Sequence, residues 1–360
     1  MHISKIKLRN FRNFTSLNLN FSSKLNFIVG NNGSGKTNLV ESIYVLALTK
    51  TFRNVLDNVL INDQAEESII TGTIKSNISN NYQIEITKKG KKAKINNNNI
   101  RKLSDYISNI LIVFFSTNDF KLINDTPNSR RKLLNIEIAQ INNNYINYLK
   151  EYNNIVKQRN AYLKTLYTNK TSSYDYLNIL TEKMIDYGLL IMEERIKFIN
   201  LVNNHINDIY EKITGITDLK IIYKSDYINK TKEELLVKHK KNIEKDIIFG
   251  KTLMGIHRDD IEFSVLGKNF KDYGSEGQQK NAIISFKLSE VKIFQEIKHQ
   301  DPIFIIDDLY SELDTKKIKN ILNIIDGNIQ TLITITDLNK VKKDIRLKAN
   351  IIKIKNGEVR

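Results

Sequence analysis

Alternation of apolar and polar residues opens the chain. Ile6 and Leu8, then Leu17, Leu19 and Phe21, fall on single faces of two half-buried antiparallel strands. Residues 25–29 form a short apolar run, and Leu39, Ile43 and Leu46 then recur at helical spacing. Residues 68–75 and 82–87 return to the strand period. Residues 88–92 give a basic hairpin turn, 96–99 a polar loop and 110–115 a buried strand. From 129 to 212 the period changes. Leu133, Ile136, Ile141, Ile146, Leu149, Ile155, Tyr162 and Leu166 predict one long helix or two. Tyr176, Leu180, Met184, Tyr187, Leu190, Ile191, Phe198 and Val202 predict another, with 168–173 as the polar turn between them. The pair reads as an antiparallel helical hairpin. Beyond it come a strand at 219–223, a lysine-rich helix through about 249, and a hairpin of 261–265 with 269–273 around Gly267. Helix from Glu276, strand at 303–306, helix from Thr315 and strand at 332–335 then alternate as α/β units.

Residues 30–37 read Gly30-Asn31-Asn32-Gly33-Ser34-Gly35-Lys36-Thr37, the G-x-x-x-x-G-K-[ST] loop, between a predicted strand and a predicted helix. Glycines let the backbone curl so that its N–H groups point at one spot. Lys36 offers a charge to β/γ-phosphates, Thr37 a hydroxyl to Mg²⁺, and the helix N-terminus its dipole. The expected ligand is a nucleoside triphosphate. Residues 303–306 lead into Asp307 and Asp308, a buried strand ending in two carboxylates. The first suits Mg²⁺ and the second a general base on water. Gly274-Ser275-Glu276-Gly277-Gln278-Gln279 opens a long helix some 30 residues earlier. Alone the segment reads as an ordinary N-cap; after the loop 30–37 and before Asp307 and Asp308 it resembles an ABC-type signature, in which a serine hydroxyl, a glycine N–H and a helix start make a second anion site.

Charge and composition narrow the partners. The 360 residues carry a formal net charge of +16, with 41% hydrophobic residues and no cysteine. Disulfide frameworks and cysteine-bound zinc are excluded, and a reducing compartment is expected. No apolar run spans a bilayer. Residues 1–5 pass directly into strand-like sequence without a signal-peptide core, so the expectation is a cytoplasmic protein. Lysines number 45 against 11 arginines, which discounts part of the charge as compositional. The arginines at 9, 12, 53, 130, 131 and 258 lie in or beside motif-like segments. A phosphate-rich partner, DNA or RNA, best explains the sign.

Seven segments together resemble the RecF family of bacterial recombinational repair proteins, relatives of the ABC-type heads of SMC and Rad50. They are Leu8-Arg9-Asn10-Phe11-Arg12-Asn13-Phe14, the loop 30–37, Thr51-Phe52-Arg53, Ser129-Arg130-Arg131-Lys132-Leu133-Leu134, Gly255-Ile256-His257-Arg258-Asp259-Asp260, Ser275-Glu276-Gly277-Gln278-Gln279-Lys280, and residues 306–314. The resemblance implies an α/β fold: an ABC-type P-loop ATPase head built from both ends of the chain, 1–127 and 250–360, with an inserted helical arm at 128–249. It implies ATP and Mg²⁺ as cofactors. Nucleotide contacts would come from Gly30, Asn31, Asn32, Gly33, Ser34, Gly35, Lys36, Thr37, Arg12 and Asn13, and from Ser275, Gly277 and Gln278. Thr37 and Asp307 would hold the metal, and Lys36 and Asp308 would be catalytic. It also implies an ATP-dependent homodimer that sandwiches two nucleotides, and binding to DNA, both duplex and single-strand gap junctions. RecR and RecO would be partners in loading a recombinase.

Several positions depart from the ABC pattern. Asp308 replaces the usual glutamate and is one methylene shorter, which suits slow hydrolysis. No histidine follows His299, which leaves Thr336 or Asp337 as candidate γ-phosphate sensors, and Ser116-Thr117-Asn118-Asp119 leaves the Q-loop role open. His257 reads as an orienting or packing residue. An ATP-binding scaffold with negligible turnover stands as the alternative. The signature segment argues against a small-molecule kinase; the inserted arm and the missing switch histidine argue against a transport ATPase.

Overall fold

A computed structural model describes residues 1–360 except Asn54, 170–172, Leu309, Ser311, Asp314, Asp326 and Arg360, and without the side chains of Thr315, Lys316 and Lys319. Part of the turn expected at 168–173 and three positions of the segment 306–314 therefore lie outside the described residues. The chain divides into two compact units. One comprises Met1–Lys121, His205–Thr217 and Glu276–Arg360; the other comprises Leu122–Asn204 and Asp218–Ser275.

The first unit holds two six-stranded sheets. Strands β1 (His2–Phe11), β2 (Phe14–Asn20), β4 (Glu67–Lys75), β5 (Ser79–Thr87), β6 (Gly90–Ile95) and β7 (Asn98–Ile100) form an antiparallel sheet in the order β2-β1-β4-β5-β6-β7. Their alternating burial matches a sheet with one face in the core. The other sheet runs β15-β14-β3-β13-β12-β8, from Glu358–Val359, Asn350–Lys355, Leu25–Val29, Thr331–Ile335, Ile303–Asp307 and Ile112–Ser116. It is parallel apart from β15. β8, β12 and β13 are buried at every residue, as continuous apolar runs in a parallel sheet should be.

The helix Lys36–Leu48 contacts strands of both sheets. Its core-facing surface is therefore not a stripe but nearly its whole circumference, and 11 of its 13 residues are buried. Gly35, at φ 112°, starts it, and Thr49, at φ 59°, ends it by donating its N–H to the Val45 carbonyl.

In the second unit the periodic stretch from 129 resolves into Pro127–Ile141, Asn143–Thr168 and Asp175–Thr214, the last of which extends into a segment of the first unit. Asn142 divides the first two; its side chain accepts a hydrogen bond from the Asn144 N–H and caps the second. The lysine-rich stretch likewise splits into Lys232–Lys241, opened by a Thr231/Glu234 capping box, and Ile243–Phe249. Strands β9 (Leu219–Lys224), β10 (Asp260–Val265) and β11 (Lys268–Asn269) make a small antiparallel sheet.

Two local expectations change. Residues 269–273 do not form the return strand of a hairpin: β11 stops at Asn269, whose side chain caps the turn Phe270–Tyr273. Within 96–99, only Asn96 and Asn97 turn, both at positive φ, and β7 starts at Asn98. The closing pair β14–β15 was not anticipated, although Ile352-Lys353-Ile354-Lys355 alternates as a half-buried strand does. The units also divide at positions other than 127/128 and 249/250. Residues 250–275 cluster with the helices because β10 pairs along its whole length with β9, and because Asp259 and Asp260 take arginines from those helices.

Those arginines are internal. Arg130 bonds Asp260 through Nε (2.6 Å) and Nη2 (2.9 Å), while its Nη1 donates to the carbonyls of Leu122, Ile123 and Asp125. Arg195 reaches Asp259 Oδ2 (2.7 Å), the Ile256 carbonyl (2.8 Å), Tyr145 and Asn135. Arg159 reaches Asp246 Oδ2 and Thr252 Oγ1, both at 2.8 Å. Deleting one partner of such a pair strands the other charge. Arg195→Met should therefore destabilise the protein by about 3–5 kcal/mol, read as a lower urea midpoint of the full chain. An unchanged midpoint would show that solvent relieves Asp259.

Candidate nucleotide-binding site

β3 delivers the loop 30–37 at the carboxyl edge of the parallel sheet, where ligands of open α/β sheets bind. The Gly30 N–H donates to the Ile335 carbonyl of β13 (3.2 Å), which continues the ladder into the loop. Gly30 is required sterically: a Cβ there would stand 2.4 Å from the Ile354 carbonyl oxygen and 2.5 Å from Ser34 Oγ. Gly33 and Gly35 adopt φ of 79° and 112°, which side chains resist. Asn31 and Asn32 are exposed, and the Ser34 N–H closes the turn on the Asn31 carbonyl (3.2 Å). Lys36 folds back, its Nζ donating to the carbonyls of Gly30 (2.7 Å) and Asn31 (2.9 Å). Burial pulls the Lys36 pKa down, while Asp308 and Asp307 oppose that shift. Ser34 Oγ is buried without a partner among the described residues. An ammonium held by carbonyls, an orphan hydroxyl and a helix N-terminus form an anion cradle.

The carboxylates enter from β12, two strands away. The Thr37 hydroxyl, on the first helical turn, donates to Asp307 Oδ1 (3.2 Å). β13 lies between β3 and β12, and its Thr334 holds both carboxylate residues at the end of β12: Thr334 Oγ1 donates to Asp307 Oδ1 (2.7 Å) and accepts from the Asp308 N–H (2.9 Å). Burial pushes the Asp307 pKa up, against the hydrogen bonds from Thr334 and Thr37. Asp308 is half-buried at φ 57°, so the chain turns sharply as it leaves the strand. A hydroxyl and a carboxylate at 3.2 Å are hard oxygen donors that suit Mg²⁺, whose remaining ligands are commonly phosphate and water. Among the described residues no cluster of three His, Cys, Asp or Glu offers a different metal site.

Arg12 and Asn13 reach the same helix from the β1–β2 turn. Arg12 donates Nε and Nη2 to Glu41 Oε2 and Oε1 at 3.1 and 3.0 Å. Asn13 Oδ1 accepts from Asn38 Nδ2 (2.8 Å), and its amide packs on Gly35, where a Cβ would lie 2.7 Å from Asn13 Nδ2. Arg53 completes the group, donating Nη2 to Asn38 Oδ1 (3.1 Å). Glu41 and Thr334 were not anticipated from sequence. Each is a polar residue inside an apolar run, Leu39-Val40-Glu41 and Leu332-Ile333-Thr334-Ile335, and that interruption was the available signal.

Other candidates fall elsewhere. Gly277 and Gln278 begin the helix Glu276–Lys298 in the first unit, whereas Ser275 ends a segment of the second. Ser275, Glu276 and Gly277 are exposed. Ser116 and Asp119 bond to each other: the Ser116 N–H (2.6 Å) and hydroxyl (3.1 Å) donate to the Asp119 carboxylate, a turn-closing arrangement. Asp337 caps a short turn through the Asn339 N–H, and Thr336 is half-buried. His257 bonds Tyr152 OH through Nδ1 (2.8 Å) and the Thr252 carbonyl through Nε2 (3.0 Å). Burial pulls its pKa down, so the neutral ring packs in place. In the basic hairpin, Lys91 is not a surface charge: its Nζ bonds Asp57 (2.7 Å) and the Thr49 carbonyl.

With this geometry in place, comparison with known proteins places the chain. Residues 2–358 match the model of the RecF/RecN/SMC N-terminal domain. The chain is 35% identical to the DNA replication and repair protein RecF of Ligilactobacillus salivarius, over all of this chain and 97% of that one. The chain belongs to the RecF family. A second relative, RecF of Bacillus cereus, is 37% identical over all of this chain and 98% of its own. Among solved structures, the recombination mediator protein RecF with ATP, of the RecFOR pathway, superposes with a TM-score of 0.92 at 29% identity, covering 100% and 97% of the two chains. An Smc head domain from Pyrococcus furiosus shares the fold, with a TM-score of 0.52 at 16% identity over 100% and 95% of the chains. The RecF fold is thus an ABC-type ATPase head with the SMC head as its structural relative.

Thr334 gives a direct check on the junction. Thr334→Val keeps the shape but removes both hydrogen bonds, and should cost about 1–3 kcal/mol in unfolding free energy. Thr334→Ser should restore most of it; equal stability of the three proteins would contradict the hold of Thr334 on Asp307 and Asp308.

Proposed function

We propose that this RecF family member is an ATP-dependent DNA-binding switch of recombinational repair. The observation that carries the reading is the meeting of Lys36, Thr37, Asp307 and Asp308 at the ends of β3 and β12, with Thr334 between them. Loop N–H groups of residues 30–37 bind the phosphates, and Lys36 moves from the loop carbonyls to the β/γ-phosphates. Arg12 and Asn13 flank the nucleotide. Thr37 and Asp307 would hold Mg²⁺, which would supply charge neutralisation at the phosphates. Asp308 orients and deprotonates the attacking water.

Two copies sandwich two nucleotides, each between one subunit's phosphate loop and Ser275, Gly277 and Gln278 of the other. The exposure of that helix start supports this part. A Cβ on Gly277 would meet nothing within 4 Å of its own chain, although glycine in a helix costs about 1 kcal/mol relative to alanine. A partner's phosphate approaching the backbone gives that glycine a reason. The +16 charge and the family support DNA binding. Exposed Lys88, Lys89 and Lys92 are the remaining hairpin candidates, without Lys91. Closing on duplex at single-strand gap junctions, with RecR and RecO as partners in recombinase loading, completes the proposal. An ATP-binding scaffold that scarcely hydrolyses is the second reading, and the short side chain of Asp308 favours it.

Two variants test the site. Lys36→Ala should weaken ATP binding, measured by titration calorimetry, by about 100-fold or more, because the loop loses its charged phosphate contact. Wild-type affinity would remove the loop from the site. Asp308→Asn should keep binding but slow single-turnover hydrolysis by about 10²–10⁴-fold. If the unaltered protein already turns over at the background rate, the scaffold reading stands instead.

A further inference from the structure

The residue beneath the site that the mechanism leaves unused is Glu41. It lies on the helix Lys36–Leu48, one turn past Thr37, and has no exposed surface. A buried carboxylate is costly unless fully paired. One guanidinium in bidentate geometry would suffice, and Arg12 supplies it at 3.1 and 3.0 Å. Yet two further groups converge on the same oxygen, Oε1: the Thr51 hydroxyl, and Arg53 Nε at 3.6 Å. Its acceptor sites are not exceeded, but in charge the anion is: two guanidinium groups stand against one carboxylate.

The excess charge is directed. Arg12 and Arg53 keep 13% and 35% of their side-chain surface, so one net positive charge stands at the solvent end of a buried anion. Arg53 Nη2 also bonds Asn38, Asn38 bonds Asn13, and Asn13 packs on Gly35 of the phosphate loop. Arg12 spends Nε and Nη2 on Glu41, which leaves the N–H groups of Nη1 outside that pair.

We propose that Glu41 is a positioning residue for the nucleotide: from inside the core it holds Arg12 and Arg53 side by side against the phosphate loop, ready for the polyphosphate. Free arginines would lose rotamer entropy on meeting the ligand; arginines already fixed by a buried carboxylate have lost it on folding. Thr51 fixes the carboxylate in turn, and its hydroxyl also accepts from the Arg53 N–H (3.0 Å), so that the Thr51-Phe52-Arg53 segment is shaped around the same anion. The inference rests on the nucleotide reading of the loop.

The test is a double-mutant cycle read in Mg·ATP affinity by calorimetry on the full chain. Glu41→Gln keeps size and an acceptor for Thr51 but removes the charge. It should weaken ATP binding about tenfold, as should Arg12→Gln, and the double variant should be no weaker than either single one within about twofold. Arg53→Gln, on a partly exposed side chain, should lose affinity while its thermal midpoint stays at the wild-type value, a separation that a purely structural role would not give. Independent, additive losses across the cycle would overturn the proposal, as would wild-type affinity in a folded Glu41→Gln protein. Should Glu41→Gln fail to fold, wild-type affinity in both arginine variants overturns it equally. Lys36→Ala serves as the reference: if it too binds ATP normally, the loop reading has failed rather than the role of Glu41.

Discussion

Everything at the candidate site depends on one constraint of the parallel sheet: β3 and β12 are not neighbours. β13 separates them, so Thr37 must reach across to Asp307 (3.2 Å), and the intervening strand steadies the carboxylates at 307 and 308 by presenting something polar at its carboxyl end. Thr334 does so with a single hydroxyl that donates to Asp307 and accepts from the Asp308 backbone. β-branching suits it to a fully buried strand, and its hydroxyl prevents that strand from being an insulating layer. The second requirement falls on the helix after the loop. Enclosed by both sheets, it has little surface on which to carry charge, so its one buried carboxylate, Glu41, must be answered by arginines from two other segments.

Most of the architecture and the centre of the site were legible in the chain, for reasons that particular residues make plain. The loop 30–37 has a fixed chemical spacing, and glycines 30, 33 and 35 are imposed by close approach or positive φ, so that the motif carries its own geometry. Buried parallel strands read as apolar runs and were found within a residue or two. Thr334 and Glu41 were not legible, because a lone polar residue in an apolar run has no periodic partner. Its meaning lies in residues 27 and 29 positions away, on other elements. The boundaries within the helical stretch depend on a single capping residue, Asn142, in a chain rich in asparagine.

Charge was the least transferable signal. Arginines in motif-like segments suggest phosphate ligands, yet Arg130 spends donors on carbonyls and an aspartate inside the second unit and Arg131 donates to the Asp259 carbonyl; Arg159 and Arg195, outside those segments, are likewise paired with aspartates. Lys91, in the most basic stretch, is drawn inward by Asp57. Net charge counts these groups as though they faced solvent. What remains outward-facing, including Lys88, Lys89 and Lys92, is a smaller and more specific set of candidate contacts for a polyanion.

The central claim is that nucleotide is bound between two copies of this chain, and the most direct measurement is molar mass in solution by light scattering, with Mg·ATP and with Mg·ADP. The account predicts twice the single-chain mass with ATP and the single-chain mass with ADP. It also predicts that Ser275→Arg, which leaves the phosphate loop intact, remains single-chain at saturating ATP. A protein that binds ATP tightly yet keeps the single-chain mass, or a Ser275→Arg protein that pairs as well as the unaltered one, would contradict it.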